Sequence, residues 1–128
     1  MSEGPADRWY ARTVWGVSDI ERSAAFYVEK LGFKENSRYA EENNPLIVQV
    51  SRAECELILS TQWPERVGHG LLYLELAPEA LAAVRAEFEG RGVALKDGWW
   101  GGRLMAVEDP DCNALWFPYP VDEPSPEA

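Results

Sequence analysis

The stretch VSDIERSAAFYVEKLGF at residues 17–33 decides the fold. It follows an alternating run, Trp9 to Val17, whose aromatic and β-branched content reads as a strand. Ser18 and Glu21 have capping-box spacing, so a helix opens there. Ile20, Ala24, Tyr27 and Leu31 place an apolar stripe on one face of that helix. Gly32 then suits the left-handed position that ends a helix, and Phe33 begins a new strand. Sixty residues on, the pattern returns. Leu31-Gly32-Phe33 matches Arg91-Gly92-Val93, and Trp15 to Glu21 matches Glu75 to Leu81 across a second strand-to-helix joint. The element order carries this repeat, since pairwise identity is weak. A strand–helix–strand–strand–strand unit buries only one face of its sheet, so a second copy closes the core.

Working outward, strands are expected near 33–40, 45–51 and 55–61, then a crossing loop over 62–68 with Pro64 and Gly68. A strand at 69–77 leads to a helix starting at Pro78, a residue suited to the first helical position. Strands near 93–97, 103–108 and 113–119 complete the second copy, with Asp109-Pro-Asp-Cys-Asn113 as a turn. The division is a flexible N-terminus at 1–8, modules at 9–61 and 69–119, and a disordered acidic tail at 120–128.

The chain has 128 residues, 46% hydrophobic, enough for one globular unit. Twelve Lys and Arg against 22 Asp and Glu give a net charge of −10. That balance argues against nucleic acid and anionic membranes as partners, which need a basic surface, and favours a cationic or neutral ligand. Two cysteines make no disulfide framework, no signal segment is evident, and no apolar run reaches membrane-spanning length. A cytoplasmic location is the expectation.

Residues 17–33, the turn Glu108 to Asn113 and the strand Leu72 to Leu76 together resemble the vicinal-oxygen-chelate superfamily, which includes glyoxalase I, extradiol dioxygenases and bleomycin resistance proteins. The resemblance implies an α+β chain of two βαβββ modules, forming a curled mixed sheet around a U-shaped cleft. Catalytic members hold a divalent metal at four strand positions. The resemblance puts those positions at Arg12, Leu71, Trp116 and a place near Leu59 or Thr61. Arg cannot ligate a metal, and Leu and Trp offer no hard donor. His69, the sole histidine, lies two residues before Leu71. The expectation is no metal and no cofactor, although a misaligned glyoxalase- or dioxygenase-like metal site is the alternative.

Six Trp in 128 residues exceed packing needs. Indole faces stack on planar heteroaromatics and attract cations. Gly98-Trp99-Trp100-Gly101-Gly102-Arg103 resembles a stretch that walls the drug groove in bleomycin resistance proteins, without choosing between Trp99 and Trp100. The candidate ligand-binding residues are Arg12, Trp15, Trp63, Leu71, Tyr73, Trp99, Trp100, Arg103 and Trp116. Trp9 and Trp15 share strand parity and also read as core. The resemblance implies a homodimer, with or without exchanged modules. The function this points to is non-catalytic binding and sequestration of a cationic or planar aromatic, antibiotic-like molecule.

Overall fold

A computed structural model describes residues 9–120, so the expectations for residues 1–8 and for most of the acidic tail lie outside the described residues. The first module runs β1 (Thr13–Gly16), α1 (Ile20–Ala25, continuing as a π-helical turn over Phe26–Lys30), β2 (Lys34–Glu41), β3 (Asn44–Arg52) and β4 (Cys55–Ser60). The second runs β5 (Leu71–Tyr73), α2 (Pro78–Gly90), β6 (Lys96–Trp99), β7 (Arg103–Glu108) and β8 (Ala114–Pro118). Hydrogen bonding divides the strands into two sheets of the same order, β1-β4-β3-β2 and β5-β8-β7-β6. In each sheet the first strand pairs in parallel with the last and the remaining pairs are antiparallel. The α+β class and the doubled βαβββ order are therefore those of the sequence reading.

The differences sit at element ends. The run from Trp9 makes a strand only from Thr13, and the strand expected at 69–77 pairs only over Leu71–Tyr73. The helix cap moves one residue: Asp19, in extended backbone, accepts the Arg22 N–H, and Ser18 is not the cap. Ser18 instead donates from its hydroxyl and its backbone N–H to Asp111 in the other module, at 2.6 and 3.0 Å. Glu21, expected to complete the capping box, pairs with Arg38 at 2.7 Å.

One continuous core joins the modules. Trp15, Leu59 and Val48 lie in one cross-strand row, and all are buried. Met105 and Phe117 form a matching row in the second sheet. Tyr27, Leu31 and Phe88 bring the helices into the same cluster. Around this core, polar groups clamp module to module. Asn113 Nδ2 donates to the Gly16 carbonyl and the Tyr27 hydroxyl donates to Asp109, while within the second module the Gly70 N–H holds Asn113 in place by donating to its Oδ1. Arg52 bridges to Glu87 on α2 at 2.8 Å and donates to the Leu31 carbonyl. The Asp109–Asn113 turn is thus also the latch of the first module.

Candidate ligand-binding site

The site grows from strand alternation. Leu72 and Leu115 face the core, which turns Leu71, Tyr73 and Trp116 to the opposite face. Tyr73, Trp116 and Ala106 occupy one cross-strand row on that outer face. The loop after β6 then lays Trp100 over the row. Its ring centroid is 5.6 Å from Tyr73 in an edge-to-face arrangement and 5.7 Å from Trp116 in a tilted one. Gly101, at φ 69°, and the Trp100 N–H bond to the Gly102 carbonyl make the tight turn that presents this indole. Trp100 remains 63% exposed. A groove of about 300 Å³ opens beside it, lined also by Glu75, Leu104 and Tyr119.

The other proposed residues divide clearly. Trp15 is a correction: it is 4% exposed, and an added Cβ on Gly70 would lie 2.5 Å from its indole, so it is a core residue and not part of a cleft. The parity shared by Trp9 and Trp15 also fails, because residues 9–12 make no strand and Trp9 is 99% exposed. Trp63 stands outside the three-ring cluster, in the crossing loop beside the Arg66 guanidinium. Trp99 is exposed and pairs across to Arg103. Arg103 lies over the Tyr119 ring at 4.5 Å, while Glu108 pairs with Lys96. Leu71 shares the outer face of Tyr73 and is 54% exposed.

Arg12 lies on the first module. Its Nε donates to Glu56 at 2.6 Å, and the Tyr10 hydroxyl and Gln49 donate to the same carboxylate. These bonds hold the Glu56 carboxyl below its ordinary pKa, Tyr10 contributing most and Arg12 next. Leu59 points into the core, so the position facing outward on β4 is Ile58. His69 precedes β5 on a loop, where strand parity with Leu71 does not apply. Among the described residues no three of His, Cys, Asp or Glu converge as a metal-sized cluster. Burial pushes the Cys55 thiol up to about 11, with Glu56 adding to the effect, so it is protonated at neutral pH.

Sequence reasoning missed Leu104 and Tyr119. Leu104 had a signal in principle, since it is two residues before Ala106 on the outer face of β7. Tyr119 had none, because only the tertiary path brings the end of β8 under Arg103.

The arrangement offers three aromatic rings in edge-to-face and tilted contact, one of them exposed, with the Glu75 carboxylate lining the adjoining groove. That chemistry holds planar or cationic molecules. A glyoxalase/bleomycin resistance protein from Streptomyces sp. CB03234 has a similar structure, with 29% identity and TM-score 0.64 over 84% of this chain and 96% of that one. TnmS3, an antibiotic binding protein from the same organism, is also 29% identical, with TM-score 0.67 over 86% and 93%. The bleomycin-binding protein of Streptomyces verticillus shares the fold at 23% identity, TM-score 0.67, over 88% and 97%. No curated protein sequence matches the chain. Residues 9–117 match the Glyoxalase/Bleomycin resistance protein/Dioxygenase superfamily, and the chain belongs to that superfamily.

Proposed function

We propose that this chain binds and sequesters a planar aromatic or cationic small molecule, antibiotic-like in kind, without transforming it. The observation that carries this reading is the Tyr73–Trp100–Trp116 cluster, with Trp100 exposed at the mouth of a groove that Glu75 also lines. A flat ring system stacks on the indoles, each good contact contributing about 0.5–2 kcal/mol. A ligand ammonium group would sit between the ring faces and the Glu75 carboxylate. The net charge of −10 favours approach of a cation at low salt. The relation to an antibiotic binding protein at 29% identity is consistent with this use of the scaffold. In this reading the working unit is a homodimer.

Titration with bleomycin-type glycopeptides and other planar drugs, followed by Trp fluorescence, tests the proposal. Saturable quenching is expected, and Trp100→Ala should weaken binding roughly tenfold or more. Silence across the whole panel would sink the drug-binding reading. Stoichiometric sub-micromolar binding of Ni²⁺, Mn²⁺, Fe²⁺ or Zn²⁺ would replace it with the metalloenzyme.

A further inference from the structure

The three rings of the aromatic cluster are not equivalent. Tyr73 and Trp100 line the groove of about 300 Å³, and Trp116 does not. Trp116 is half-buried and meets Trp100 from outside the groove, at 5.7 Å and 55°. It buttresses the exposed indole, and the Trp100 N–H bond to the Gly102 carbonyl fixes the same residue through its backbone. The ring is held in place before anything binds, which spares a ligand the cost of ordering it.

Tyr73 and Trp100 meet at 69°, with centroids 5.6 Å apart. Two rings at that angle form a corner. A flat ring system is sandwiched only between parallel faces, so here it would be covered on one side alone. A compact cation instead meets both faces at once, and each face carries the negative side of its ring quadrupole. The Glu75 carboxylate lines the same groove and supplies opposite charge. The chain itself makes such pairs: Arg103, also in the lining, lies over Tyr119 at 4.5 Å. The rest of the lining decides which cation. A primary ammonium brings three donors that need acceptors. Besides Glu75, the acceptor side chains of the lining are the hydroxyls of Tyr73 and Tyr119, and Tyr119 already accepts from Arg85. Leu76, Pro78, Leu104 and Pro118 add apolar surface. A methylated ammonium has few donors or none, and suits apolar walls facing one carboxylate.

We infer that the Tyr73–Trp100 corner binds a quaternary or heavily methylated ammonium group of a soluble small molecule, with Glu75 as its counter-ion. The inference rests on the small-molecule reading above and narrows it from planar or cationic ligands to cations of this class. A groove near the lower limit of small-molecule sites accepts such a headgroup whole. The remainder of the ligand extends past Gly101 and Gly102, which also line the groove and where an added Cβ would meet nothing within 4 Å.

Isothermal titration calorimetry of the full chain with choline and with its uncharged carbon analogue, dimethylbutanol, at matched ionic strength, is the test. Choline is expected to bind at least about tenfold more tightly than the analogue. Glu75→Gln, at an exposed position, should weaken choline several-fold and leave the analogue unchanged. Trp100→Leu should remove the preference for the cation with unchanged circular dichroism, since the indole is 63% exposed. Equal affinities for the two probes would overturn the inference, as would a preference that survives both substitutions. Phosphatidylcholine vesicles present the same headgroup on a surface and should give no heat; binding to them contradicts a soluble ligand. If the planar drugs quench Trp fluorescence while choline gives no heat, the cation site fails and sequestration of planar molecules stands. Silence from choline and from the drugs alike sinks both.

Discussion

At Asp109, burial and hydrogen bonding pull against each other. Burial raises the pKa of its carboxyl, and bonds from Asn113, Tyr27 and the backbone of the turn oppose that rise. The Tyr27 hydroxyl donating to it is itself fully buried, and burial foremost, with the Asp109 charge next, holds this phenol well above its ordinary value. Tyr27→Phe should therefore cost about 1–3 kcal/mol at neutral pH, read from urea denaturation, because a buried carboxylate loses a donor. A group whose folded pKa is raised stabilises fully below its unfolded pKa and loses that contribution as pH rises through the folded value. The gap between wild type and Tyr27→Phe should accordingly narrow in the alkaline range above Tyr's usual value near 10. Two glycines make a sharper contrast. Gly70→Ala puts a methyl 2.5 Å from the Trp15 indole and should cost about 1–3 kcal/mol, whereas Gly90, with nothing within 4 Å of its added Cβ, should gain about 0.5–1 kcal/mol as Ala. Thermal unfolding of the pair checks both signs. Neither effect is legible in sequence, where both are glycines near element ends.

Helix α1 shows which parts of an element its residues announce. Its apolar stripe and its Gly32 stop, at φ 75°, are local properties and were readable. The cap was not: Ser18, Asp19 and Glu21 all suit helix starts, and the choice fell to Asp19 because Asp111, from the other module, takes Ser18. Asp19→Ala should lower stability by about 1 kcal/mol, measured by chemical denaturation. The helix ends in a π-helical turn, with Leu31 N–H bonded to the Phe26 carbonyl. No periodicity in the sequence marks it. In α2, Glu87 is held below the ordinary carboxylate range, chiefly by its hydrogen bonds from Arg52. A carboxylate with a depressed folded pKa stabilises above its unfolded pKa and loses this as pH falls through the folded one. Wild type should thus exceed Glu87→Gln in urea midpoint at pH 7, and the difference should shrink as pH falls through and below the ordinary carboxylate range.

For the whole molecule, the decisive feature is that the modules share one core and one polar seam. Asp111 alone accepts from the Ser18 hydroxyl and backbone N–H and pairs with Arg22 at 3.3 Å. Its side chain is only 6% exposed, so Asp111→Ala leaves nearby donors short of a partner and should cost about 1–3 kcal/mol. A single transition at lower denaturant is expected, because the continuous core keeps both modules in one cooperative unit. Two separate transitions in the variant would mean the seam, not the core, couples them.

The doubled strand–helix–strand order was determined by the sequence alone. Hydrophobic period, Gly and Pro punctuation and turn chemistry are short-range properties that survive without knowledge of contacts. The acidic balance and the excess of Trp were equally plain. Which Trp face solvent, and which each other, was decided only by tertiary structure. Trp15 was drawn into the core by the register of β1 on β4 and the bare backbone at Gly70. Trp100 and Trp116, sixteen residues apart, met Tyr73 only because β5 and β8 are neighbours in space. Side-chain convergence depends on strand register and loop path, and these follow from packing the whole chain at once.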